Sequence, residues 1–136
     1  MRNIEFRGLV ESDSSTWVYG YLMSNNRIYK EGSTKHQYQW DTVIPESVGQ
    51  YTGCRDKNDK KIYENDIVID YQRGYCFTVK YVDGAFILEE KEMDMEFLLY
   101  SYECKELEVI GNIFTLKEDT DAIRIETFFG ILRCLL

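Results

Sequence analysis

This chain of 136 residues has a single proline, a single histidine and four scattered cysteines, and each scarcity closes off a class of chemistry. With His36 alone, neither a Ser-His-Asp triad nor a Cys-His dyad nor a two-histidine metal site can be assembled in an ordinary way within one chain. Its polar neighbours mark His36 as a surface loop residue. Cys54, Cys76, Cys104 and Cys134 form no C-x-x-C pair and have no neighbouring histidine to complete a zinc set, so they read as free thiols in a reducing compartment. There is no uninterrupted apolar run of about eighteen residues to cross a bilayer, and Met1–Arg7 lacks the apolar stretch of a signal peptide. The expectation is a cytoplasmic protein without a membrane partner. No G-x-x-x-x-G-K loop is present to cradle a nucleotide phosphate.

What the chain does have is aromatic bulk: 11 Tyr, 7 Phe and 2 Trp within a hydrophobic content of 44%. Aromatic and β-branched residues favour strands, and a chain of this length buries enough surface to fold as one domain, with or without a small appendage. The formal charge of -8 repels phosphate backbones on average and otherwise confers solubility. An acidic mimic of DNA is the sharper reading of the same charge.

The pattern along the chain predicts a mainly β protein. Ile4 and Phe6 open a short strand, Glu11–Thr16 reads as a loop, and Trp17–Leu22 is a strand joined through Asn25-Asn26 to Arg27–Tyr29. Tyr38, Trp40, Thr42 and Ile44 alternate with polar residues and Val43, and Pro45 ends that strand. Ile67–Tyr71, an interruption at 72–74, and the alternating Phe77, Val79 and Tyr81 follow as a meander. Asp83-Gly84 predicts a type I′ hairpin turn, since glycine reaches positive φ cheaply, with Ala85–Leu88 returning. The segment 89–96 fits either a loop or a short helix. Leu107–Phe114 reads as a closing strand with a bulge at Gly111. In the tail, Ile125, Phe128, Phe129 and Leu132 recur at helical spacing, which predicts a short C-terminal helix. Trp40, Tyr63, Phe77, Tyr81 and Phe86 are expected to face a core.

The densest stretch is Tyr51–Val68, where the charged and Asn/Asp residues from Arg55 to Lys61 predict a solvated turn before a buried strand. Three segments resemble the YopX family of phage and prophage proteins. Val48-Gly-Gln-Tyr-Thr-Gly53 with Asp56-Lys-Asn58, Ile62-Tyr-Glu64 and Asp66-Ile-Val68 is similar to its "QYTG-x-x-DKNG-x-x-IYEGDIV" signature. Leu107–Phe114 is similar to its "EVIGNI" motif, and Arg2–Arg7 to its opening. Asp59 and Asn65 stand where the family usually has glycine, and these two residue types tolerate left-handed backbone better than others. The resemblance implies a phage-derived protein of a bacterial host with an SH3-like barrel around the signature and a tendency to self-associate. It implies no reaction and no cofactor. The organisation expected is an N-terminal β region over 1–50, a β-barrel core over 51–116 and a helical tail over 117–136.

Four constellations are candidates for chemistry. Cys54 beside Arg55 has a nearby cation that could favour a thiolate. Asp56-x-Asn58-x-Lys60 begins like a calcium loop but lacks glycine at its sixth position and glutamate at its twelfth. Glu64, Asp66, Asp70 and Asp83 could hold a hard cation only if the strands gathered them. Arg55, Lys57, Lys60 and Lys61, with Tyr51 and Tyr63 alongside, form the best nucleic-acid candidate, although Asp56, Asp59 and Glu64 dilute the charge. The function expected is a non-catalytic binding or assembly module, homo-oligomeric through Ile125, Phe128, Phe129 and Leu132. Its partner would be a phage or host protein, with single-stranded nucleic acid as the alternative.

Overall fold

The computed structural model describes residues 4–30, 39–90 and 92–115. The chain divides into two compact units, Met1–Gly53 and Cys54–Leu136, and both are built from antiparallel strands.

In the first unit, β1 (Phe6–Val10), β2 (Asp13–Ser24), β3 (Arg27–Lys30), β4 (Trp40–Thr42) and the start of β5 (Gly49–Arg55) lie in the order β4-β3-β2-β1-β5. The Asn25-Asn26 turn joins β2 to β3 as the sequence predicts. The expected loop at Glu11–Thr16 is instead a two-residue turn, after which β2 already begins at Asp13. There the Asp13 carboxylate accepts from the Ser15 and Thr16 hydroxyls, each at 2.6 Å, so the polar run is satisfied locally without breaking the strand. Val18, Ile28 and Val43 form the core of this unit, with Phe6, Val10, Leu22 and Val48 packed against them.

Residue spacing sets the other face of this sheet. Alternate residues of a strand point to opposite sides, so with Val18 and Gly20 inward, Tyr19 and Tyr21 point outward. The same rule reverses the expected phase of β4: Val43 is fully buried and Trp40 is 41% exposed. The small Val43 fits where β1 comes close, for a Cβ on Gly8 would stand 3.0 Å from Val43 Cβ. After β4, Pro45 opens a single 3-10 turn, Pro45–Ser47. The buried Ser47 hydroxyl ties that turn down, accepting from the Leu9 N–H at 2.8 Å and donating to the Ile44 carbonyl at 2.6 Å.

In the second unit, β6 (Lys61–Tyr63) precedes β7 (Asp66–Asp70), β8 (Tyr75–Val82), β9 (Ala85–Glu90), β10 (Met95–Leu98) and β11 (Leu107–Asn112). The last five form a sheet in the order β10-β9-β8-β7-β11. Asp83 and Gly84 take φ of 50° and 83°, the positive values that a type I′ turn demands. The segment 89–96 is neither loop nor helix throughout: Glu90 still belongs to β9, and β10 begins at Met95 after a turn. The register of β11 slips between Val109 and Gly111, as the glycine predicts.

Ile62, Val68, Phe77, Val79, Leu88, Leu99 and Leu107 make the core of this unit. Phe77 lies at its centre, edge-on to Tyr75, Phe97 and Tyr102 at 5.5–5.7 Å. Of the aromatics expected to face a core, Tyr63 and Phe77 are buried and Phe86 is half-buried against the exposed Tyr81. The expected closed SH3-like barrel is not found. β10 and β11 are the edge strands of the sheet, each with one strand neighbour, so the sheet is not closed into a barrel. The expected C-terminal helix, with Ile125, Phe128, Phe129 and Leu132, falls outside the described residues, as does His36.

Candidate functional site

The turn from Arg55 to Lys61 is ordered around a carboxylate that the sequence reading places in solvent. Asp56 is fully buried. Its Oδ1 accepts the N–H groups of Asn58 at 2.9 Å and Lys60 at 2.8 Å, and its Oδ2 accepts that of Val109 at 2.9 Å. Two backbone bonds close the rest, Asp56 N–H to the Lys60 carbonyl at 2.8 Å and Lys57 N–H to the Leu107 carbonyl at 2.9 Å. A short Asp side chain reaches N–H groups two residues on, which is why Asp nucleates such turns. Here it also clamps the turn to β11, some fifty residues later in the chain.

Three other buried polar side chains of this unit work in the same way. Asp66 Oδ2 accepts the Tyr63 N–H at 2.7 Å and so closes the turn between β6 and β7. Asn112 Oδ1 accepts the N–H groups of Phe114 and Thr115 at 3.0 and 3.1 Å. Asp70 Oδ1 accepts those of Gln72 and Arg73 at 3.0 and 3.1 Å. Its Oδ2 accepts from Arg73 Nη1 at 2.8 Å and from the Tyr102 hydroxyl. Burial alone would raise the Asp70 carboxyl. The bonds from Tyr102, the Arg73 side chain and the Arg73 N–H outweigh it and hold the pKa below the ordinary carboxylate value. The Arg73 guanidinium also bonds Glu106, and with two carboxylates beside it stays firmly charged.

These bonds engage three of the carboxylates considered as calcium or metal ligands. Asp56 receives three backbone N–H groups and Asp70 two, and Asp66 Oδ2 receives that of Tyr63, so these carboxylates are aimed at backbone. No group of three or more His, Cys, Asp or Glu that could hold a metal ion occurs among the described residues.

The cationic candidates are dispersed. Arg55 Nη1 donates to the Asp59 carbonyl at 2.9 Å and lies 3.9 Å from its carboxylate, while Lys105 approaches the same carboxylate at 3.7 Å. Lys57 Nζ sits 4.7 Å from the centre of the Tyr71 ring. The Lys60 side chain is exposed and that of Lys61 is half-buried. Tyr51 and Tyr63, expected alongside for base stacking, are both buried, which removes their ring faces from any incoming base.

The cysteines are less separate than their spacing suggests. The Cys54 and Cys104 thiols are hydrogen-bonded neighbours packed on the core of the second unit, a proximity that fifty residues of separation conceal. Burial, then the neighbouring Cys54, pushes the Cys104 thiol up to about 12, so it stays protonated and unreactive at neutral pH. Arg55, for its part, is directed at Asp59.

Two surfaces stand out once the signature is assigned to scaffolding. On the outward face of the first unit's sheet, Arg7 pairs across with Tyr19, Tyr21 with Tyr29, and Tyr29 with Trp40. Tyr21 is 66% exposed, with Tyr19, Met23 and Trp40 also exposed. Two guanidinium groups cap indole rings there, Arg7 over Trp17 and Arg27 over Trp40, each at 4.6 Å. In the second unit, a cleft of about 450 Å³ opens between Arg73, Tyr75, Phe97, Tyr102, Glu103 and Glu106. Sequence reading missed both, because it placed Trp40 inward and because Tyr75, Phe97 and Tyr102 come from separate segments of the chain.

The family model described as YopX protein matches residues 5–117. The chain belongs to the YopX family. No curated protein matches it. The match takes in almost all of the described residues, including both surfaces. In the segments that resemble YopX motifs, Asp56, Asp66 and Asn112 each accept backbone N–H at a turn. Asp59 and Asn65, where the sequence reading expects glycine by resemblance, take φ of 64° and 74°. Both are in the left-handed region that glycine enters without cost. None of the helices among the described residues is long and apolar enough to cross a membrane.

Proposed function

We propose that this YopX-family chain is a non-catalytic assembly module that associates with a second copy of itself through the aromatic face of its N-terminal sheet. The observation that carries the reading is the exposure of Tyr19, Tyr21, Met23 and Trp40 on one side of β2 and β4. Contiguous aromatic and methionine surface of this kind is costly to leave in water and is what protein interfaces use as anchors. The exposed Arg27, stacked over Trp40, adds a flat, weakly hydrated cation to that surface, a combination enriched at interface centres. A non-catalytic role is supported by the polar residues of the signature, whose carboxylates are engaged with backbone. The chain's net charge of -8 and the dispersed cations of the Arg55–Lys61 turn favour a protein over single-stranded nucleic acid as the partner.

Sedimentation of the purified chain from about 1 to 100 μM, alone and as the Tyr21→Ser/Trp40→Ser double variant, tests the reading. Both side chains are exposed, so the substitutions leave the core intact. A concentration-dependent dimer or higher assembly that the double variant dissociates is expected. A monomer throughout, or an assembly indifferent to the substitutions, overturns it, and a salt-sensitive complex with single-stranded DNA lost on Lys60→Glu/Lys61→Glu would establish the nucleic-acid alternative.

A further inference from the structure

We infer that the cleft of the second unit is a receptor for an arginine side chain presented by a basic segment of a partner protein. This site is separate from the aromatic sheet face, and the inference stands whether or not that face mediates assembly.

Three rings form its wall. Tyr75 and Phe97 are near-parallel, with centroids 6.3 Å apart and planes 26° from each other. Tyr102 meets Phe97 edge-on at 5.7 Å. All three pack on the buried Phe77, so the wall is fixed by the core and not by a mobile loop. Tyr102 is held further by the bond from its hydroxyl to Asp70. Rigid aromatic faces set at fixed angles present negative π-density into the cleft, and a planar, weakly hydrated guanidinium is the cation best matched to them.

Charge selects the same ligand. The cation of the lining, Arg73, faces Asp70 and Glu106, which already neutralise it, while Glu103 lines the cleft as a further carboxylate. The local balance is therefore negative. The hydrogen bond that Glu103 makes, accepting from the Lys105 N–H, is long at 3.3 Å, and its side chain is exposed at the rim. A resident arginine already illustrates the fit: the Arg73 guanidinium lies 5.9 Å from the centre of the Tyr102 ring with carboxylates on its edge. An incoming guanidinium would repeat that arrangement against Tyr75 and Phe97, with Glu103 on its edge. A cleft of about 450 Å³ exceeds one such side chain and leaves room for a neighbouring backbone segment.

The test uses the full chain, labelled with nitrogen-15, titrated with end-capped hexa-arginine, hexa-lysine and hexa-glutamate peptides while amide shifts are followed. The arginine peptide is expected to bind saturably, with the largest shifts at Tyr75, Phe97, Tyr102 and Glu103, and to hold most of its affinity in 0.3 M salt. The lysine peptide should bind at least fivefold more weakly and the glutamate peptide not at all. Glu103→Gln, at an exposed position outside the core, should weaken the arginine peptide about three- to tenfold, and Phe97→Leu about tenfold with an unchanged far-ultraviolet spectrum. Should Phe97→Leu unfold, Glu103→Gln alone decides. Equal binding of lysine and arginine peptides that vanishes in salt, shifts spread over the acidic surface, or indifference to Glu103→Gln would overturn the inference. The Tyr21→Ser/Trp40→Ser variant should bind the arginine peptide as the parent does.

Discussion

Replacing Asp56 by alanine removes the acceptor of three buried N–H groups, those of Asn58, Lys60 and Val109, at a position with no access to water. Hydrogen bonds to a charged acceptor contribute about 1.5–3 kcal/mol each, and donors left buried without a partner cost a similar amount. Because the three share one carboxylate they do not simply add, and a loss of about 3–5 kcal/mol is the expected outcome. That is a large part of the roughly 5–15 kcal/mol that holds a domain together. For a unit of this size it should lower Tm by about 15–30 °C. Asp56→Asn separates charge from shape: its carbonyl can still serve Asn58 and Lys60, whereas its amide opposes the Val109 donor, so about 1–3 kcal/mol is expected. Urea denaturation with an unchanged m value is the assay, since a shift in midpoint at constant slope reports stability alone. A loss below about 1 kcal/mol for Asp56→Ala would refute the reasoning and reopen the question of what that carboxylate is for.

Asn65→Gly should stabilise the protein by about 0.5 kcal/mol in the same urea assay, because φ at this residue is 74° and glycine enters that region without a steric penalty; destabilisation would mean that the Asn side chain contributes more than its strain costs. Tyr102→Phe withdraws one of the bonds that keep the Asp70 carboxyl low. A depressed carboxyl gives stability that is present above the unfolded pKa of about 3.9 and is lost as pH falls through the folded value. The variant should therefore be less stable than the parent at pH 7 and lose less stability than the parent as pH falls from about 5 to 2, so that the two profiles of urea midpoint converge at low pH; profiles separated by a constant offset, or superimposable, would contradict the assignment.

Much of the second unit was legible because its turns carry their own chemistry. Asp83-Gly84 demands positive φ, Gly111 marks the slip in β11, and alternation identifies Phe77 and Val79 as inward. The phase of a strand between two apolar choices was not legible. Trp40 and Val43 both suit a buried position, and the tight approach at Gly8 selects the smaller side chain, a tertiary fact. Nor does charge reveal burial: Asp56 sits among exposed Lys57, Asn58, Asp59 and Lys60, and only the three N–H groups converging on it explain why it lies inside. The cleft was hidden for a different reason, since Tyr75, Phe97 and Tyr102 come from three separate segments that meet only when β8, β9 and β10 pair. Cys54 and Cys104 meet in the same way.

Amide hydrogen exchange at Asn58, Lys60 and Val109 tests most directly the claim that the signature of this YopX-family chain is scaffolding. In the parent all three should exchange slowly and together, although Asn58 and Lys60 lie in an exposed turn, and in Asp56→Asn the Val109 amide should lose protection first. Rapid exchange at all three in the parent, unchanged in the variant, would show that the carboxylate does not hold them and would contradict the account.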